Sequence, residues 1–121
     1  MLIGIPLEAA AGETRVAVTP ETAKKLKAQG HTLRLQSGAG IAASAPDEAY
    51  ASLVEITDRG GAFGCDLVLK VRSPSRDELP LMKRGAVLVG MLNPFDKDGL
   101  QLLAAAGLTS FALEAAPRTT R

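Results

Sequence analysis

Asp66-Leu67-Val68-Leu69-Lys70-Val71-Arg72-Ser73-Pro74 is the stretch on which the reading of the fold turns. It is a short apolar run that ends in two cations and a Ser-Pro stop. Leu67 to Val71 reads as a buried strand of a parallel sheet, because such strands are continuous aliphatic runs bounded by turn residues. Lys70 and Arg72 lie two apart, so in an extended chain they share a face, opposite Leu69 and Val71. Open α/β sheets bind ligands at the carboxyl edge of their strands, and that edge is where these cations fall. The rest of the chain is expected to support this strand or to bring groups to its carboxyl end.

Its surroundings suit a helix-covered sheet. The chain has 121 residues, the size of one domain, 1–121, long enough to bury roughly two-thirds of its unfolded surface. Hydrophobic residues make up 46% but aromatics only 3%, with no Trp, so the core must be aliphatic. That argues against an aromatic stacking surface for single-stranded nucleic acid. A net charge of +1 asks for neither nucleic acid nor an anionic membrane. Cys65 is the only cysteine, which excludes an internal disulfide and a cysteine-rich zinc site and makes a reducing compartment the default. No apolar run approaches the ~18 residues of a membrane span, and Met1 to Pro6 lacks the marks of a secretory signal.

Taken in order, Leu2 to Ile5 is a first strand closed by Pro6, and Glu8 to Arg15 a charged loop. The apolar Val16-Ala17-Val18 leads to Thr19-Pro20-Glu21, a helix start with cap, proline and acid in their favoured places; Gly30 ends that helix. His31 to Leu35 alternates as a half-buried strand. Ser37-Gly38-Ala39-Gly40 is a glycine-rich loop, and Ala45 to about Leu53 a second helix. Glu55 to Thr57 is a short strand, and Asp58 to Gly64 a loop with a possible helical turn. After the strand at 67–71, Ser75 to Lys83 reads as a short helix interrupted by Pro80. Ala86 to Gly90 is a strand, Asn93 to Asp96 a turn, Gly99 to Ala106 a helix, and Leu108 to Leu113 a last strand. Five or six strands alternate with about four helices. The expected fold is therefore three-layer α/β, Rossmann-like or flavodoxin-like, with a mainly parallel sheet and helices on both faces. A strand followed by Glu114 to Arg121 reads as a cut loop, so the domain is expected to be truncated at its carboxyl end and to come from a longer protein.

Few residues suggest chemistry. Gly38 and Gly40 form a G-x-G, but position 43 is Ala and Asp58 sits in a loop rather than ending a second strand; a tight turn is the plainer reading than a phosphate loop. Arg15 is either a solvated loop residue or a bidentate grip for a carboxylate or phosphate. Lys70 either snorkels to the sheet edge or pairs with a ligand or an acid. Arg72 reads as surface, His31 as facing water, and Cys65 as a small core residue. Asp96 and Asp98 read as helix-start charges, and no carboxylate–histidine cluster suggests a metal.

Gly4-Ile5-Pro6-Leu7-Glu8, Glu13-Thr14-Arg15-Val16-Ala17-Val18-Thr19-Pro20, Ser37-Gly38-Ala39-Gly40 and Pro46-Asp47-Glu48-Ala49-Tyr50 together resemble one family. It is the N-terminal domain shared by alanine dehydrogenase and the alpha subunit of proton-translocating NAD(P) transhydrogenase. The resemblance covers essentially the whole chain. Two features choose a branch. Alanine dehydrogenases carry a catalytic histidine at the end of the strand after the lysine strand, and Val89-Gly90-Met91-Leu92-Asn93-Pro94 contains none. Ala112 to Arg121 is similar to a transhydrogenase run that reaches the nicotinamide end of the nucleotide, and Arg121 matches its arginine.

The resemblance implies a subunit that passes hydride between NAD(H) and, on a partner subunit, NADP(H), coupled to proton translocation. It implies a following Rossmann domain outside this chain, a homodimer, NADP-binding and membrane-embedded partner subunits, and a place at the cytoplasmic face of the inner membrane. Arg121 is the implied cofactor-binding and catalytic residue. Arg15 and Lys70 match positions that hold the substrate carboxylate in alanine dehydrogenases. In the transhydrogenase branch they could be a retained scaffold, an internal ion pair or a contact near the nicotinamide. The chain alone is expected to bind NADH weakly or not at all and to be inactive. Lys70→Ala in the full protein is expected to alter nucleotide handling or domain closure more than folding. The alternatives are the substrate domain of an alanine dehydrogenase-like enzyme and a standalone non-catalytic module of the same fold.

Overall fold

The computed structural model describes residues 1–8, 12–72, 74, 77–91 and 97–112. Among these residues are six strands, β1 (Leu2–Ile5), β2 (Thr32–Gln36), β3 (Glu55–Thr57), β4 (Leu67–Arg72), β5 (Val87–Met91) and β6 (Thr109–Ala112), and four α-helices, one between each successive pair of strands except β4 and β5. The helices are α1 (Pro20–Ala28), α2 (Asp47–Tyr50), α3 (Arg59–Phe63) and α4 (Lys97–Ala105). Every strand pair is parallel, in the order β3-β2-β1-β4-β5-β6. The order reverses between β1 and β4, so those two strands flank the crevice where such sheets receive ligands.

Strand alternation divides the aliphatic residues between two cores. Ile3, Ile5, Leu33 and Leu35 point to one face, where Ala23 of α1 and Tyr50 of α2 cover them. Val68 and Leu88 point to the other, against Phe63 of α3 and Leu103 of α4. Gly4 lies between Ile3 and Ile5 and so faces α3, whose backbone comes so close that a Cβ on Gly4 would sit 1.8 Å from the Ala62 carbonyl oxygen.

Local sequence explains most element ends. The Thr19 hydroxyl accepts from the Thr22 amide at 3.2 Å, Pro20 opens α1, and Gly30 at φ +94° ends it. Asp58 is a cap as well, its carboxylate accepting from the Gly61 amide at 2.8 Å, so the segment read as loop with a helical turn is α3. Two expectations were too long. The second helix is a single turn, Asp47–Tyr50, because Tyr50 is needed in the core and the chain turns away after it. The segment around Pro80 forms only a 3₁₀ turn, Leu79–Leu81; Ser75 and Arg76 lie outside the described residues. Asn93 to Asp96 and Leu113 to Arg121 also lie outside them.

The glycine loop is a packed corner. Asp47 accepts from the Ser37 hydroxyl and the Gly38 amide, both at 2.8 Å, and a Cβ on Gly40 would lie 2.4 Å from the Ala45 carbonyl and 2.9 Å from the Tyr50 ring. A 3₁₀ turn, Ile41–Ala43, follows, with no long helix whose amino end could face a pyrophosphate. Asp47→Ala is expected to lower stability by about 1–2 kcal/mol through the loss of both bonds. A urea midpoint indistinguishable from wild type would show that the corner holds without it.

Candidate active-site cleft

The site grows from the carboxyl ends of β1 and β4. β1 stops at Ile5 because Pro6 cannot donate to a ladder, and three residues later Glu8 lies buried. Alongside, β4 runs past the end of β1 and bulges. Leu69 pairs with Val89 but Arg72 with Met91, so β4 spends one extra residue between those pairs. The bulge turns two successive amides to one side, and the Glu8 carboxylate takes both, Val71 N–H at 2.8 Å and Arg72 N–H at 3.0 Å. Successive amides of this kind form an anion-binding nest. The resident anion is the protein's own glutamate.

Lys70 completes that arrangement. Its side chain is 1% exposed and that of Glu8 is 2%, with Nζ 3.2 Å from Oε1. The ammonium also lies 5.9 Å from the centre of the Phe63 ring. Of the two outcomes open for Lys70, pairing with an acid is the one realised. A buried lysine needs a partner, and only Glu8 among the described acids reaches it within ion-pair distance.

A second glutamate organises the rim. Glu13 accepts from the Arg15 backbone N–H at 3.0 Å and from its Nε and Nη2 at 2.9 Å each; Arg72 Nε donates to the same carboxylate at 2.9 Å. The Glu13 side chain is only 5% exposed, whereas Arg15 and Arg72 are each 55% exposed. Arg15 is thus neither a plain solvated residue nor a lone grip, and Arg72, read as surface, is tied by its guanidinium to the opposite loop.

The Arg15 guanidinium, then its backbone amide, then Arg72 hold the Glu13 carboxyl far below its ordinary 4.5. The same pairing raises Arg15. An acid whose folded pKa is depressed stabilises the fold above its unfolded pKa and loses that contribution as pH falls toward the folded one. The gap in urea midpoint between wild type and Glu13→Gln is therefore expected to be constant above about pH 5 and to narrow below it. A gap that widens on acidification would contradict the pairing.

Between these groups lies a cleft of about 270 Å³ lined by Arg15, Val16, Ala17, Leu69, Lys70, Val71 and Val89. Its loop wall is anchored from behind, where the fully buried Tyr50 donates its hydroxyl to the Val18 carbonyl at 2.7 Å. Burial raises the Tyr50 pKa, so the phenol stays protonated as the donor.

The structure brings Arg15 and Lys70 together at this cleft. Arg121 lies outside the described residues. His31 is at the amino edge of β2, the opposite end of the sheet, beside Lys27, Ser52 and Glu55. It does not simply face water, since its Nδ1 is buried without a partner. Cys65 is buried in the core, with burial raising its thiol pKa. Among the described residues no group of acids, histidine and cysteine is placed to hold a metal. Sequence reasoning missed Glu8 and Glu13. The available signal was topological, an acid just beyond β1 facing a lysine at the end of the neighbouring β4.

A doubly wound parallel sheet with paired cations and acids at its switch point has the architecture in which α/β domains receive ligands. The chain belongs to the alanine dehydrogenase/PNT, N-terminal domain family, which it matches over residues 4–121. It is 38% identical to the NAD(P) transhydrogenase subunit alpha of Cereibacter sphaeroides, across 100% of this chain and 24% of that protein. Among solved structures, a transhydrogenase from Sinorhizobium meliloti superposes with a TM-score of 0.95 at 34% identity, covering 99% of this chain and 37% of that one. An L-alanine dehydrogenase superposes with a TM-score of 0.87 at 30% identity, covering 93% and 32%. The chain thus spans about a quarter to a third of the length of these relatives.

Proposed function

We propose that this chain is the first domain of a transhydrogenase alpha subunit and supplies one wall of the cleft in which NAD(H) exchanges hydride with NADP(H). The position of the only histidine carries this reading over amino-acid oxidation. Oxidising an amino acid through its imine requires protons to be moved at nitrogen and oxygen, hence a titratable group beside the substrate. His31 lies at the wrong edge of the sheet, the Lys70 ammonium is committed to Glu8, and an arginine does not titrate. Hydride exchange between two nicotinamides takes up and releases no proton. It requires alignment and exclusion of water, which an apolar cleft with fixed charges can provide.

The residues present fit part of a dinucleotide. The cleft has room for a ring-sized group against Val16, Ala17, Leu69 and Val89. Gly40 is packed against the Ala45 carbonyl and the Tyr50 ring, and the Gly38 amide is taken by Asp47, so this corner offers the pyrophosphate no open cradle. The phosphates therefore belong to a following Rossmann domain, and Arg121 to the loop that reaches the nicotinamide. Homodimerisation, NADP-binding and membrane partner subunits, coupling to proton translocation and a place at the cytoplasmic face of the inner membrane complete the proposal. No helix of the described residues is long and apolar enough to cross a membrane.

A second reading rests on one observation, that Arg15 and Lys70 both line the cleft. In an alanine dehydrogenase-like enzyme they would hold a substrate carboxylate. The full-length protein assayed for hydride exchange between NADH and an NADP analogue, and for reductive amination of pyruvate, separates the two. Exchange without amination is expected; amination without exchange would overturn the proposal. Calorimetry on residues 1–121 is expected to show no micromolar binding of NADH, and such binding would contradict the division of labour between domains.

A further inference from the structure

We propose that Glu8 is a positioning residue: by holding the bulge of β4 it sends Lys70 and Arg72 to opposite faces of the sheet and so sets Arg72 at the cleft rim. Residues two apart in a regular strand share a face, which is what the sequence predicts for this pair. Lys70 keeps to the face of Val68. Its ammonium lies 5.9 Å from the centre of the Phe63 ring, on the side where Val68 and Leu88 pack. Arg72 does not follow. It pairs with Met91, two residues beyond Val89, the partner of Leu69. Arg72 therefore takes the face of Leu69 and Val89, both of which line the cleft. Its guanidinium accordingly reaches Glu13 at 2.9 Å. In a regular ladder Val71 would pair with Met91, and Arg72 would turn to the Phe63 side with Lys70.

The bulge needs an acceptor, and Glu8 is the one it has. The extra residue takes the Val71 and Arg72 amides away from β5, and a buried amide left unbonded is costly. Glu8 gives one oxygen to each, Oε2 to Val71 N–H at 2.8 Å and Oε1 to Arg72 N–H at 3.0 Å. Oε1 also faces Lys70 Nζ at 3.2 Å. Pairing with Lys70 would need a single carboxylate oxygen. The second oxygen, on a second amide, is what a register device requires. Only the kinetic consequence rests on the proposed function; the register does not.

In the full-length protein, Glu8→Leu/Lys70→Met removes both buried charges at similar volume, a kind of replacement that folds tolerate. It leaves the two amides no carboxylate, so the β5 ladder becomes their best acceptor. A crystal structure of this variant is expected to show the bulge gone, Val71 paired with Met91 and Arg72 off Glu13. A retained bulge, or an Arg72 still on Glu13 without it, would overturn the proposal. Should the double variant fail to fold, Glu8→Gln carries the same question through hydrogen exchange. The Val71 and Arg72 amides are then expected to exchange about tenfold faster than in wild type, over and above any change in β5. A rise no greater than that of β5 would overturn the proposal equally.

Hydride exchange from NADH reads the functional consequence. With the phosphates held by the following domain, this wall aligns the ring rather than binding the nucleotide. Per folded protein, Glu8→Gln is expected to lower kcat about tenfold while changing KM for NADH by less than about threefold. Glu8→Asp, which keeps the charge and two acceptor oxygens, should recover part of the loss. An unchanged kcat in Glu8→Gln would deny Glu8 a positioning role. Failure of the wild-type protein to exchange hydride would instead count against the proposed function, and the register of β4 would still decide what Glu8 holds.

Discussion

Glu8→Ala is expected to be among the most damaging single substitutions in this domain, lowering stability by about 3–5 kcal/mol. The variant would leave the Lys70 ammonium buried without its carboxylate and two successive amides, Val71 and Arg72, without an acceptor. Lys70→Met should cost less, because Glu8 keeps both backbone donors and the methionine fills the stem's volume. The double variant Glu8→Gln/Lys70→Met removes both charges and keeps an oxygen for the amides, so it should be markedly more stable than the single losses predict by addition. Urea or thermal unfolding of wild type, Glu8→Gln, Lys70→Met and the double variant closes the cycle. Additive losses would mean that the pair is not coupled and that the desolvation cost is met in another way. The cycle also bears on Lys70→Ala, which the sequence leads one to expect to act on nucleotide handling or domain closure more than on folding. An ion pair this deeply buried gives that substitution a folding cost too.

Gly4→Ala is the second large effect. A Cβ at this position would stand 1.8 Å from the Ala62 carbonyl oxygen and 3.0 Å from Cys65 Sγ. The obstacle is backbone in a helix capped by Asp58, so α3 would have to move off the sheet as a unit. The expected cost is at or above the upper end of the ~1–3 kcal/mol usual for overpacking. Gly85→Ala provides the contrast: a Cβ there meets nothing within 4 Å, and the strain comes from its φ of +88° alone. A Tm for Gly4→Ala as high as that of Gly85→Ala would mean that α3 yields easily.

Much of the fold was legible because its causes are local. Runs such as Leu67 to Val71 are too apolar and too short to be anything but buried strands of a covered sheet. Pro6, Thr19, Pro20 and Gly30 punctuate the chain by their own backbone preferences. The G-x-G at Gly38 reads from its spacing as a tight turn more plainly than as a phosphate loop, and the packing of Asp47 and Tyr50 supplies the reason. The second helix was read too long because propensity does not report that Tyr50 must turn inward to reach Val18.

The site was half legible. Arg15 and Lys70 stand out as cations where a parallel sheet gathers ligands, and the resemblance to the alanine dehydrogenase/transhydrogenase family pointed to the same pair. Glu8 and Glu13 did not stand out, since an acid in a charged loop ordinarily faces water. Sequence by itself determined the parallel α/β class, the aliphatic core and the edge at which function would gather, because those follow from period, composition and turn chemistry. Tertiary structure decided what the cations do. The β3-β2-β1-β4-β5-β6 order sets the end of β1 beside the end of β4, and the bulge in β4 turns two amides toward Glu8. Glu13 then meets Arg72 across 59 residues of chain. Such pairings depend on which distant segments become neighbours, and no local preference encodes that.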